Sequence, residues 1–231
     1  MATVTAPTPR TMAGSHWLIL HDVAWETYCQ LRDAESNNFV RMVYLDGELA
    51  LMSPELRHDI PIELLGQLIR GVVAGLGLEV MGIRTTTLRR EGTPGRRKGA
   101  GKEPDTAYYL GGNERRMRMR EELDLNVDPP PDLAIEVENT NELSTMAMAV
   151  YARLGVPEVW RFHVGDRSVS INYLDGGQYR EVDRSVALPK LTPSLILEAL
   201  NRFTVGDLGE IAWYEWVKAW VRTLPEPDPA I

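Results

Sequence analysis

Two short stretches hold residue types that could do chemistry: Glu103-Pro104-Asp105, and Asp132-Leu133-Ala134-Ile135-Glu136-Val137-Glu138 after three prolines. In the second, Leu133, Ile135 and Val137 alternate with Asp132, Ala134, Glu136 and Glu138, and a strand sends alternate side chains to opposite faces. An apolar row then meets a core while the acids share the other side. Half-buried strands ordinarily carry Thr, Ser or Lys there. Two carboxylates two residues apart repel each other, and a bound cation is the simplest reason to tolerate them. Asp105 could add an oxygen from a neighbouring strand. An oxygen-only set suits Mg²⁺, with Mn²⁺ as the alternative; either leaves positions for water and phosphate.

Each of these residues also has a plainer reading. Asp105 and Glu136 could be turn or surface carboxylates. Glu138 stands between third ligand, water-activating base and outward-facing acid. Asp132, at the strand's start, reads as a turn or cap residue. Glu48, just after a hairpin turn, is either an accessory acid or an exposed strand residue. His58 precedes a helix start, where a histidine serves packing or touches water or phosphate.

The chain has 25 basic and 33 acidic residues, a net charge of −8. That argues against nucleic-acid binding over the whole surface but leaves room for a local strip. Such a strip runs through Arg84, Arg89, Arg90, Arg96, Arg97, Lys98 and Lys102 against Glu91 alone. A second cluster, Arg115, Arg116, Arg118 and Arg120, is diluted by Glu114, Glu121 and Glu122. Both border Asp105, where a phosphate backbone would lie over a catalytic metal. Arg89, Arg90, Arg96, Arg97 and Lys98 are thus the candidate DNA contacts; a solvated loop with incidental charge is the competing account.

Other classes drop out. A lone cysteine, Cys29, permits no internal disulfide and fits a reducing cytoplasm. No apolar run is long enough to span a bilayer, and the first ten residues lack a signal-peptide core. No Walker-type glycine loop, zinc spacing or serine elbow occurs, so no nucleotide cofactor is expected.

These residues need elements to position them. Val23–Ala34 has helical spacing with Asp22 as its N-cap, and Asp46-Gly47 marks a hairpin between strands 40–45 and 48–52. A long helix over 59–74 carries the stripe Ile60, Leu64, Leu65, Leu68, Ile69 and Val72. Residues 79–88 read as a broken strand, 91–101 as a loop, 103–110 as a strand and 111–131 as a long connection. The acidic strand follows, then a helix over 143–154 stopped by Gly155, strands 159–164 and 168–174, and helices 196–200 and 205–221. Trp213, Trp216 and Trp220 form a packing stripe on the last. The expected organisation is a tail over 1–15, one domain over 16–204, a Trp-rich helix over 205–223 and a tail over 224–231. The fold class is α/β or α+β, with one mixed sheet.

Taken together, several segments resemble a known family. They are Tyr44-Leu45-Asp46-Gly47-Glu48-Leu49, Met52-Ser53-Pro54 with His58, Glu103-Pro104-Asp105 with Tyr108-Tyr109, Pro129 to Val137, and Tyr151-Ala152 with Leu154 to Trp160. In order and spacing they resemble the Uma-two family of restriction endonucleases, in the PD-(D/E)xK superfamily. The resemblance implies a restriction-endonuclease-like mixed sheet flanked by helices, with Asp105 and Glu136 as metal ligands. It also implies Mg²⁺-dependent hydrolysis of DNA phosphodiesters; cutting both strands of a near-symmetric duplex calls for two sites, so a homodimer is expected. The chain departs from the pattern at the lysine. Glu138 stands two residues after Glu136, and Ala147 stands four before Tyr151, the other place where this family carries it. Lys98 and Lys102 are the nearest cations, and Lys102 joins Asp105, Glu136 and Glu138 as a catalytic candidate. The other outcome is a catalytically impaired member that binds nucleic acid or regulates a partner.

Overall fold

A computed structural model describes residues 17–52, 59–84, 86–93, 98–138, 143–206 and 208–227. Asp46 and Gly47 take positive φ (49° and 108°), so β2 (Arg41–Leu45) folds back on β3 (Glu48–Met52) with Leu45 opposite Glu48. The strand β1 (Trp17–Leu20) pairs with the outer edge of β3. On the other side β2 pairs with β6 (Gly99–Lys102), and β6 with β5 (Leu88–Glu91). These five strands make an antiparallel sheet in the order β1-β3-β2-β6-β5.

A second sheet has six strands. Its order runs from β11 (Gln178–Val182) through β10 (Ser168–Asp175), β9 (Glu158–His163), β8 (Leu133–Glu138) and β7 (Thr106–Tyr109) to β4 (Met81–Ile83). Only β8 and β9 pair in parallel, so the sheet is mixed. A parallel pair needs a crossover, which α4 (Ser144–Leu154) supplies, ending on Gly155 at φ 78° as a left-handed C-cap.

The alternation in β8 is used on both faces. Leu133, Ile135 and Val137 meet Leu65, Leu68, Ile69 and Val72 of α2 (Asp59–Leu76), together with α5 (Pro193–Val205) and α6 (Glu210–Thr223). Helix α6 packs tightly on α2: a Cβ at Gly75 would stand 2.6 Å from the Lys218 carbonyl. On the other face Ala134 joins Val150, Tyr151 and Leu154 of α4, which also pack on Val43, Ala50, Leu88 and Ala100 of the first sheet. Helix α4 therefore lies between the two sheets.

Several expectations change. There are two sheets, not one, and the broken strand over 79–88 is divided between them as β4 and the start of β5. The expected loop over 91–101 ends in β6, the connection over 111–131 contains the short helix α3 (Asn113–Met117), and β11 was not anticipated. Ala24, not Asp22, caps α1 (Trp25–Asp33); Asp22 sits in the preceding turn at φ 55°. Ile60 lies in the exposed first turn of α2, outside the buried stripe. The tryptophans do pack: Trp213 is fully buried, its Nε1 donating to the Ala199 carbonyl at 2.8 Å, and the Trp216 and Trp220 rings stack. Among the described residues no helix is long and apolar enough to cross a membrane.

Candidate active site

Glu103-Pro104-Asp105 is the corner at which the chain leaves one sheet for the other. Lys102 ends β6, opposite Val43 on one side and Leu88 on the other; Thr106 begins β7, opposite Ile135. The direction of Lys102 follows from Gly101. A Cβ there would run into the Tyr28 hydroxyl and stand 2.8 Å from its ring, so β6 lies flat against Tyr28. Alternation then turns Ala100 and Lys102 toward α4.

There Lys102 meets the acidic strand. Its Nζ is 2.6 Å from Oε1 of Glu136, and the ammonium is only 4% exposed. The Tyr151 hydroxyl, from α4, donates to the same oxygen, and Lys102 Nζ sits 4.5 Å from the centroid of the Tyr151 ring. Asp105 closes the corner: its Oδ2 accepts a 2.8 Å hydrogen bond from the Val137 amide, next to Glu136. Asp105, Glu136, Lys102 and Glu138 line one cleft together with Arg41, Glu103 and Trp17.

Burial pushes the Glu136 carboxyl above its ordinary pKa, and the neighbouring Asp105 charge pushes the same way; the Lys102 ammonium and the Tyr151 hydrogen bond oppose them. Burial, reinforced by the Glu136 charge, holds the Tyr151 phenol well above its usual value, so it remains a donor. Two carboxylates crowded beside one ammonium make an oxygen-only donor set. Among the described residues no group of three His, Cys, Asp or Glu is placed to hold a metal. An ion here would complete its shell with water and phosphate, the habit of Mg²⁺. The residues fit that ion.

Glu138 shares the strand face but has other partners. Arg161 on β9 grips it with Nε at 3.0 Å from Oε1 and Nη2 at 2.7 Å from Oε2. Ser144 donates to Oε1 at 3.1 Å, and His163 Nδ1 is 3.4 Å from Oε2. Asp132 is a turn residue, accepting from the Leu110 amide at 2.7 Å and from Asn113 Nδ2 at 2.9 Å. Glu48 lies at the exposed start of β3, 3.6 Å from His21 and away from the cleft. Of the basic strip, Arg89 pairs with Asp33 at 2.8 Å, while Arg90 gives its Nε to the Leu125 carbonyl and its Nη1 to that of Arg153. Lys98 is half-exposed, 3.9 Å from Asp22. His58, Arg96 and Arg97 lie outside the described residues. Tyr151 and Arg161 were not singled out as site residues from the sequence. Tyr151 was marked only as part of a family segment, and Arg161 is set beside Glu136 by the parallel register of β8 and β9, which the sequence alone does not show.

A family model described as "Putative restriction endonuclease" (Uma2) matches residues 25–206. A crystal structure of a "putative nuclease belonging to DUF820" from Anabaena variabilis ATCC 29413 is similar, with 14% sequence identity and a TM-score of 0.49. That similarity covers 84% of this chain and 99% of the other. No curated protein matches. The family model spans most of the chain and both acidic segments, and the chain belongs to the Uma2 family.

Proposed function

We propose that the chain is a Mg²⁺-dependent DNA endonuclease of the PD-(D/E)xK type, in which Lys102 provides the cation that Glu138 and Ala147 do not. The observation that carries this reading is Lys102 Nζ at 2.6 Å from Glu136 Oε1, in a cleft shared with Asp105. Asp105 and Glu136 would hold the ion, which would polarise the scissile phosphate and offset the charge that grows on its oxygens. The chain's own residues do the rest. Lys102 keeps a desolvated positive charge beside the reacting phosphate, where it counts for more than in water. The Tyr151 proton and the Val137 amide fix the orientation of the two carboxylates. Glu138, already held by Arg161, stiffens the strand. A homodimer would set one such site on each strand of a duplex.

The test is cleavage of supercoiled plasmid by wild type and Glu136→Gln, with Mg²⁺ and with EDTA. The expected result is Mg²⁺-dependent nicking that falls about 10²- to 10³-fold in Glu136→Gln, the scale of losing one transition-state electrostatic element. In parallel, Mg²⁺ should raise the melting temperature of wild type and not of Glu136→Gln, since a ligand of the folded state alone stabilises it. One observation favours the second reading, binding without cutting: Glu136 Oε1 is engaged by both Lys102 and Tyr151. DNA binding without cleavage by wild type would select it.

A further inference from the structure

The register of the first sheet places four side chains in a pattern on the face that looks into the cleft. Trp17 on β1 lies across from Met52 on β3, and Met52 across from Arg41 on β2. Two residues further along β2, Val43 lies across from Lys102. Arg41 and Lys102 are therefore diagonal neighbours on one face, and a line from Lys102 through Arg41 continues over Met52 to Trp17. All four line the same cleft as Asp105 and Glu136.

Arg41 has one ion-pair partner among the described residues, Glu103. Its Nη1 is 3.6 Å from Glu103 Oε2, a long contact, and its side chain keeps 28% of its exposure. Glu103 is also 3.4 Å from Arg32, which is buried and donates to the Val40 carbonyl at 2.8 Å. Glu103 thus sits between the buried Arg32 and Arg41, and of the two cations that line the cleft, Arg41 and Lys102, Arg41 is the one that stays part-exposed. Beyond it the wall is thioether and indole, and the Trp17 Nε1–H is a buried donor without a partner among the described residues. Two cations followed by an apolar, aromatic wall complement a phosphate followed by a base whose face is free.

Resting on the nuclease reading above, we infer that the cleft takes an unpaired nucleotide of DNA. Arg41 binds its phosphate beside the one under attack, and Met52 and Trp17 receive the base outside the helical stack. Each site then acts on a single strand or a locally opened duplex, not on a fully stacked one. Glu103, the first residue of the Glu-Pro-Asp corner, is the positioning residue for Arg41.

The test is fluorescence anisotropy on the full chain with Ca²⁺ in place of Mg²⁺. It compares a short labelled oligothymidylate with a blunt duplex of the same length. Wild type should bind the single strand more tightly. Arg41→Met should weaken that binding at least about tenfold, the scale of one hydrogen bond to a charged group. Trp17→Leu, which stays apolar and loses the ring, should weaken it about 5- to 100-fold, the range for one stacked base, while Trp17→Phe should restore most of it. Met52→Ala gives an independent readout should Trp17→Leu fail to fold. Equal binding of the two DNAs, with Arg41→Met and Trp17→Leu both matching wild type, overturns the inference. If Glu136-dependent plasmid cutting persists in that case, the nuclease reading stands; if the protein neither binds nor cuts any DNA, both fall.

Discussion

Glu136, mostly buried with its side chain 13% exposed, and the fully buried Glu158 lie on neighbouring strands of the same sheet and face opposite sides of it. Glu158 is 1% exposed and fully subscribed. Its Oε1 accepts from Trp160 Nε1 and Ser185 Oγ, both at 2.6 Å, and its Oε2 from the amides of Val186 at 2.5 Å and Ala187 at 3.2 Å. Three of these four neutral donors tie the 185–188 segment to β9, and among the described residues no cation pairs with Glu158. Glu136 has a buried ammonium, a phenol, a second carboxylate close by and an open cleft in front of it. The difference teaches that burial alone does not mark a working acid. An acid saturated by fixed neutral donors is structural; one balanced against charge at a cleft is poised for a ligand.

Breaking the structural side should have the largest effect. Glu158→Ala leaves two buried and two part-buried donors unpaired, at about 1–3 kcal/mol for each buried one. Urea denaturation should show a loss of about 3 kcal/mol or more. A loss under about 1 kcal/mol would mean that the turn finds other acceptors. Next comes the coupled pair. Lys102→Met and Glu136→Gln each leave a buried partner uncompensated, whereas the double variant leaves none, so it should be more stable than either single variant. Thermal melts of the three decide this; additive losses would show that the contact carries no coupling. The smallest effect is expected at Glu138. Glu138→Gln retains an acceptor for Arg161 and should keep plasmid nicking within about threefold of wild type, far from the 10²-fold scale of a transition-state group. A loss on that larger scale would place Glu138 in the chemistry beside Glu136.

Much of this was legible in advance, for physical reasons that can be named. The alternation of Leu133, Ile135 and Val137 reports burial directly, because both faces of β8 are read out by period two. Asp46-Gly47 and Gly155 announce a turn and a helix stop through the positive φ they adopt. What stayed hidden depends on tertiary contact. Gly99-Ala100-Gly101-Lys102 has no apolar alternation, and it is a strand because Tyr28 packs on Gly101 and β2 and β5 flank it. Without that strand the side on which Lys102 emerges could not be read, so Lys102 was one of two nearby candidates. Arg90 looked like a surface cation and is spent on two carbonyls reached only in the fold. The edge strand β11 has only Tyr179 and Val182 part-buried, three residues apart, so no period-two alternation marks it.

The account turns on a lysine that reaches Glu136 from a different strand, and one plasmid-nicking series tests it most directly. Wild type, Lys102→Met, and Lys102→Met combined with Ala147→Lys are compared with Mg²⁺. Ala147 is on α4 in the wall of the same cleft, so a lysine there offers a second route for the same charge. The account predicts that Lys102→Met nicks about 10²- to 10³-fold more slowly and that the combined variant recovers at least part of that loss. Lys102→Met nicking at the wild-type rate would contradict it.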